Sequence, residues 1–267
     1  MKHEINAPYP GIYHIALALD VWATLIVGEN RALLVDTGFG IDDLRGIVRG
    51  VTELEPEVIL THGHFDHAMG VWQFGASRMF AEDADDFREE TALSFRQQAL
   101  EAARTAETEI EIGEEALLRA DIRMPQPLTA GEEDLGGISV RILHVPGHTP
   151  GSAVLYIPKY RLLLSGDDWN PCTWLFFERA LPVAEYRENL RGLMTLPFEN
   201  VLCSHRSALY PRGMMEAFAD GLTDGALLGA EPVRIEPYAH IHTVQASPAR
   251  DQVLVFDRDK WKITEKL

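Results

Sequence analysis

Residues 58–70 read VILTHGHFDHAMG, a short apolar run followed by three histidines and an aspartate within six positions. The chain spends three of its 10 histidines there. Local propensity gives no reason for the crowding, since histidine is a modest helix former with no special strand preference. Four such groups can hardly all be neutral core residues, because each would need its own hydrogen-bond partner. His62 and His64 alternate at the end of an extended segment and therefore point to one side. Asp66 and His67 follow where a helix begins and can turn back toward the same space. Imidazole nitrogens and a carboxylate are good ligands for zinc and comparable borderline metals. The remaining ligands of such a site should stand at the ends of other strands.

They do. HVPGHTPGS (144–152) places His148 in a turn rich in glycine and proline, directly after a strand. LLLSGDD (162–168) leaves Asp167 at the end of another apolar run, and VLCSHR (201–206) does the same for His205. A lone histidine after a strand is more often structural than ligating. Together with the first cluster, though, these residues make a set of five histidines and two aspartates, each on a loop that follows a strand.

The rest of the pattern is that of a layered α/β protein. Segments 13–19, 23–28 and 31–38 read as strands, with GEN as a hairpin turn between the last two. Leu44, Ile47, Val48 and Val51 give a helical period over 41–54, and Pro56 follows. EVILT is a short buried strand, and DHAMGVWQF opens a helix that Gly75 closes. From about 83 to 120 the composition turns to Ala, Glu and Arg with helical periodicity, which predicts two helices broken near Gly113. Strands return at 137–145, 152–158 and 161–167. A helix at 183–196, a strand at 199–205, a helix at 213–222 and a strand at 251–257 complete the chain. Both halves run strands, helix, strand, so residues 1–267 read as one domain with a helical insertion at about 83–120.

With 46% hydrophobic residues the chain has ample material for a core. Its net charge of −17 opposes sequence-independent binding to nucleic acid, which needs Lys and Arg to neutralise phosphates, and opposes docking on anionic membranes. The N-terminal stretch lacks the apolar region of a secretory signal, and no window approaches the roughly 20 apolar residues of a membrane span. Two cysteines, Cys172 and Cys203, do not make a disulfide framework. A cytoplasmic protein is the expectation.

Over nearly its whole length the sequence resembles the metallo-β-lactamase fold superfamily. His62, His64, Asp66 and His67 match that family's His-x-His-x-Asp-His motif, and His148, Asp167 and His205 match its three later ligand positions. LLVDTG (33–38) matches an early motif whose aspartate, Asp36, supports the site from behind the ligands. The resemblance implies a four-layer αββα sandwich with the metals in a shallow cleft at one edge. It implies that His62, His64 and His148 hold a first metal, that Asp66, His67 and His205 hold a second, and that Asp167 bridges them. Two divalent ions are then the cofactors, zinc by default, with iron, manganese or nickel able to fill the same ligands. A hydroxide bridging two metals is a nucleophile at neutral pH, because coordination lowers the pKa of water from roughly 16 to about 7. Asp66 would orient it and carry a proton toward the leaving group.

The remaining histidines read differently. His14 alternates with apolar residues in a strand and is a satisfied structural residue, and His144 is a core or supporting residue. His240 and His242 are read as strand residues at the surface or the pocket rim. Cys172 and Cys203 are read as small buried residues. From Asp167 on, the dense DDWNPCTWLFFE offers Trp169, Trp174, Phe176 and Phe177 for a hydrophobic wall against substrate, and Arg206, next to His205, could anchor a substrate carboxylate.

Within the resembling family, lactonases carry a tyrosine shortly after the bridging aspartate, where this chain has Asp168, Trp169 and Asn170. The basic residues by which glyoxalase II binds glutathione find no counterpart here beyond Arg206 and Arg212. What the sequence favours is hydrolysis of a small ester, thioester or lactone, with the 83–120 insertion as a lid. A phosphodiesterase with the same two metals is the first alternative, and a mono-iron persulfide dioxygenase is an alternative of another class. A small molecule is the expected partner, without nucleic acid or membrane, and a homodimer is allowed.

Overall fold

A computed structural model describes residues 3–261. The first seven strands are β1 (Ile5–Tyr9), β2 (Ile12–Ala16), β3 (Trp22–Val27), β4 (Ala32–Val35), β5 (Glu57–Ile59), β6 (Ser77–Met79) and β7 (Gln126–Pro127), and they form one sheet in chain order. A second sheet takes β8 (Gly131–Asp134), β9 (Ser139–His144), β10 (Ala153–Ile157) and β11 (Leu162–Leu164). The chain then leaves it for β12 (Cys172–Leu175) and returns with β13 (Asn200–Leu202) and β14 (Tyr210–Pro211), giving the order β14-β13-β11-β10-β9-β8. In a third sheet β12 lies beside the late strands β15 (Glu231–Pro232), β16 (Thr243–Ala249) and β17 (Gln252–Asp257), in the order β12-β17-β16-β15.

The two large sheets pack face to face. Ile26, Leu33 and Ile59 of the first meet Ile142, Leu155 and Leu164 of the second in one buried cluster. Helix α1 (Leu44–Arg49) covers the outer face of the first sheet through Leu44 and Val48, against Leu25 and Leu34. Two later helices, named below, cover the outer face of the second sheet. Strands covered on both faces read as unbroken apolar runs, which is why ALLV, AVLYI and LLL were legible as strands. The result is the four-layer αββα arrangement expected, with a small third sheet added to one outer layer.

Strand direction gathers the functional loops. β4 and β5 are parallel, as are β11 and β13, so each pair ends at a common edge. β9 and β11 both pair antiparallel with β10, so they too run the same way. The loops carrying Asp36, His62–His67, His148, Asp167 and His205 therefore leave the sheets at one edge.

Several expectations change in detail. The helix read over 41–54 is the short α1, started by the Asp43 side chain, which accepts from the Gly46 N–H. DHAMGVWQF is one α-helical turn, α2 (Phe65–Ala68), followed by a 3-10 turn. The insertion holds three helices, not two: α3 (Ala84–Glu90), α4 (Leu93–Thr105) and α5 (Glu114–Leu118). It is docked along its length, with Phe87 buried against the first sheet's helical layer. Ala99, Leu100, Ala103 and Leu117 are buried against Val21, Phe39 and Ile41. Strands β1, β6, β7, β8 and β16 escaped the reading because they are short, polar or interrupted by proline. Helices α6 (Val183–Leu193), α7 (Arg212–Gly221) and α8 (Asp224–Leu228) complete the chain, and Tyr186, Leu190, Met215 and Phe218 seat the first two on the second sheet.

His14 is structural, as read. It pairs with Thr24 across β2 and β3, stacks on Trp22 at 4.8 Å, and its Nε2–H donates to the Arg206 carbonyl at 3.0 Å. Burial pushes its pKa down to about 4, only partly offset by that carbonyl. The unfolded chain therefore takes up a proton near pH 6.5 that the folded chain refuses until about pH 4. Stability should fall as pH drops through that window and level off below it, by on the order of 3 kcal/mol. Urea unfolding of chelator-treated wild type and His14→Gln between pH 7 and 4 checks this, the variant showing the shallower loss. Identical pH slopes for the two proteins would remove His14 as the cause.

Candidate active site

Each ligand candidate is delivered by a loop that the fold has already aimed. His62 and His64 follow β5, Asp66 and His67 sit in the single turn of α2, His148 follows β9, Asp167 follows β11 and His205 follows β13. The seven side chains meet. His64 Nδ1 and His148 Nε2 face one another at 3.0 Å. His205 Nε2 lies 3.0 Å and His67 Nε2 3.6 Å from Asp167 Oδ2, and His148 Nε2 approaches the same oxygen at 3.8 Å. Asp66 Oδ2 stands 3.4 Å from His67 Nε2 and 3.6 Å from His205 Nε2. Ligand-capable atoms of His62, His64 and His148 lie within 4.8 Å of one another, and so do those of His67, Asp167 and His205.

The imidazoles are held from behind, which fixes the nitrogen each presents. His67 Nδ1–H donates to Asp36 Oδ2 at 2.9 Å, and His148 Nδ1–H donates to the Trp174 carbonyl at 2.7 Å. His62 Nδ1–H donates to Thr61 Oγ1, whose own hydrogen goes to Asp36. His205 Nδ1 faces the Asp20 carbonyl at 3.3 Å. His64 is turned the other way, with Nδ1 inward and Nε2 3.8 Å from Glu90. Asp36, at a left-handed φ of 63°, also accepts the Thr61 N–H and the Ser204 hydroxyl, so it ties three strand-end loops together.

Charge follows from burial and proximity. Burial would raise Asp66 and Asp167, but His67 and His205 outweigh it, holding Asp66 at about 2 and Asp167 well below the carboxylate range. Burial drives His62, His64 and His148 down, His64 to about 3, aided by neighbouring imidazoles. Burial opposes charge on His67 as well, yet Asp66, Asp167 and Asp36 raise it. The ionised carboxylates and the neutral imidazoles of His62, His64 and His148 are already in the form that binds a cation, whereas His67 and His205, whose proton burial opposes but the neighbouring Asp66 and Asp167 favour, would release it to one. The donors fit one in a second way: His62 Nε2, His67 Nε2 and Asp167 Oδ1 are buried without a hydrogen-bond partner. Such orphaned atoms are costly unless something else satisfies them.

A cleft of about 560 Å³ opens on the cluster. Phe65, Trp174, Phe177 and Tyr238 form its apolar wall, Glu90 and Gln98 come from the insertion, and Arg206 is its basic member among the described residues. Trp174 and Arg206, both read from the sequence as pocket candidates, line this cleft. Trp169 does not: it is fully buried in the core under β12, its Nε1–H donating to Gln252. The chain reverses side at each strand residue, and the loop after Asp167 turns Trp169 inward before β12 begins. Cys172 lines the cleft half-buried, whereas Cys203 is buried as expected. His144 is a supporting residue, bonded to the Pro150 carbonyl. His240 and His242 are exposed in a turn before β16 and not on a strand. Tyr238 went unread because its segment carries no periodicity. Phe177 was read as part of the aromatic run after Asp167.

Residues 17–205 match the model of a known family, described as the metallo-beta-lactamase superfamily. The chain is 27% identical over 196 residues to the acyl-coenzyme A thioesterase MBLAC2 of Gallus gallus, covering 66% of this chain and 67% of that one. It is likewise 27% identical over 200 residues to a hydroxyacylglutathione hydrolase of Cereibacter sphaeroides, covering 70% of this chain and 66% of the relative. The chain thus spans about two thirds of these curated relatives. Among solved structures, the sec-alkylsulfatase Pisa1 from Pseudomonas sp. superposes with a TM-score of 0.63 at 14% identity, over 82% of this chain and 41% of the longer sulfatase, which shows a common fold. The matched span begins at the end of β2 and closes on His205, the last of the seven clustered residues, and by fold, motif and match alike this chain belongs to the metallo-beta-lactamase superfamily.

Proposed function

We propose that the chain is a metal-dependent hydrolase of a small ester, thioester or lactone, working with two divalent ions. The observation that carries the acyl reading is the cleft: an aromatic wall beside the ligand cluster, with Arg206 as its basic lining residue. A phosphodiester normally recruits several Arg or Lys groups, which this wall does not offer. The thioesterase and acylglutathione hydrolase names of the two relatives support the same reading.

In this reading His62, His64 and His148 would hold one ion and Asp66, His67 and His205 the other, with Asp167 within reach of both groups. The ions would supply a water of lowered pKa and a Lewis acid for the carbonyl oxygen. The protein's own groups do the rest. Asp66, with 19% of its side chain exposed, is an ionised carboxylate on the cleft side that orients the attacking water and carries its proton toward the leaving group. Trp174 and Phe177 exclude bulk water from the acyl group. Tyr238 packs edge-on against Phe177, ring centroids 5.4 Å apart, and its hydroxyl has no hydrogen-bond partner among the described residues. Burial, with Glu90 and Asp66 nearby, pushes that phenol up to about 12, so it remains a donor, available to the substrate's carbonyl or departing oxygen or sulfur. Arg206 would anchor a carboxylate.

The reading takes residues 1–267 as one cytoplasmic domain, the insertion serving as a docked lid that lends Glu90 and Gln98 to the rim. Its partner is a small molecule, without nucleic acid or membrane, and a homodimer is compatible. The charge of −17 supports this, and no described helix is long and apolar enough to cross a membrane.

Elemental analysis of protein purified without chelator should find about two ions per chain, zinc by default. Anomalous scattering should show Asp167→Ala depleting both positions and His205→Ala mainly the second. No metal and no rebinding, or equal loss in His205→Ala with Asp167→Ala intact, contradicts the assignment. Thioesters, lactones or aryl esters should be cleaved faster than bis(nitrophenyl) phosphate, with His64→Ala as the blank. A phosphodiesterase rate above every acyl rate, and lost in that blank, would favour the rival chemistry. Tyr238→Phe should lower kcat for the best acyl substrate about 10- to 100-fold with little change in KM or metal content. An unchanged kcat removes Tyr238 from the reaction.

A further inference from the structure

Asp83 lies outside the seven clustered residues, just before α3, and it is fully buried. Its Oδ2 accepts the Gly63 N–H at 3.0 Å and the Thr149 hydroxyl at 2.7 Å, and its Oδ1 accepts the Gly151 N–H. Gly63 stands between His62 and His64, and Thr149 directly follows His148. One carboxylate thus joins the two loops that carry the first ion's three histidines.

The two glycines are shaped to receive it. A Cβ on Gly63 would stand 2.7 Å from the Phe87 nitrogen and 2.9 Å from the Asp83 carbonyl oxygen, and one on Gly151 would stand 2.6 Å from Asp83 Cγ. Neither glycine has a positive φ, so closeness of approach, not backbone conformation, explains them. The same side of α3 continues the contact. Asp86 pairs with Arg179 at 2.6 Å, and Glu90 accepts the Phe65 N–H at 3.0 Å while facing His64 Nε2.

Asp36 cannot substitute for this clamp. It reaches His67 directly and His62 through Thr61, so it serves one ligand of each ion, and no contact of it extends to the His148 loop. His67, Asp167 and His205 in turn have no bond to Asp83.

We propose that Asp83 is a positioning residue for the first metal ion: it sets the His62–His64 loop against the His148 loop, so that the affinity of that ion, and not of its neighbour, depends on the segment leading into α3. The inference rests on the two-ion reading above. It tells against viewing the start of the insertion as a lid that moves independently of the chemistry.

Zinc binding to chelator-stripped protein, read by calorimetry and by competition with a chromophoric chelator, tests it without any substrate. His64→Ala and His205→Ala assign the two binding steps. Asp83→Asn should weaken the step lost in His64→Ala about 10- to 100-fold and leave the other within about threefold, the range found when groups behind metal ligands are removed. Thr149→Val deletes one of the three bonds without touching the carboxylate, and should give the same selectivity at smaller size if Asp83→Asn does not fold. Equal weakening of both steps, or no weakening, in a folded variant of a two-zinc wild type overturns the clamp alone. A wild type that binds no zinc overturns the metal centre and the clamp together.

Discussion

The hydrogen bond between Asp36 and His67 is the contact on which the rest of the site is organised. A carboxylate buried under a histidine needs full satisfaction, and Asp36 obtains it from the Thr61 backbone and hydroxyl, His67 and Ser204. Those partners follow β5 and β13, strands of different sheets. The bond is thus also a seam between the two large sheets at the edge where the candidate ligands emerge. The left-handed backbone at Asp36 is the local strain accepted to bring the carboxylate there.

Strand-end chemistry was legible in the sequence because it is local. His62, His64, Asp66 and His67 lie within one turn of chain, and His148, Asp167 and His205 each follow an apolar run long enough to be read as a strand. The doubly covered strands β4, β10 and β11 were legible for the same reason, since burial on both faces leaves an unbroken apolar signature. What the sequence hid depends on pairings between distant segments. Among the described residues β12 pairs with β17 alone, β6 is three residues long, and Tyr238 reaches the cleft from a turn with no periodicity. Trp169 shows the limit most plainly: standing two residues from a candidate ligand, it faces the core because of how the intervening loop turns.

The insertion shows what composition leaves out. Its Ala, Glu and Arg residues give helices but no sign of how those helices are seated. Asp83, Asp86 and Phe87 are buried beneath the site, and Arg96 donates to the carbonyls of Thr91 and Ala120, closing the helices on one another. Buried carboxylates are rare, yet here backbone N–H groups from two loops supply what Asp83 requires.

The parallel pairing of β12 with β17 sets an order of events during synthesis. All seven clustered residues have been added to the chain once His205 is made, and the family match ends there too. The carbonyl that fixes the His148 ring nevertheless belongs to Trp174 on β12, and β12 finds its neighbour only when Val253–Phe256 emerge. A nascent chain can present every candidate ligand while one of them still lacks its support. The backing of the His148 ring therefore waits on β17, a strand made after every one of the seven clustered residues.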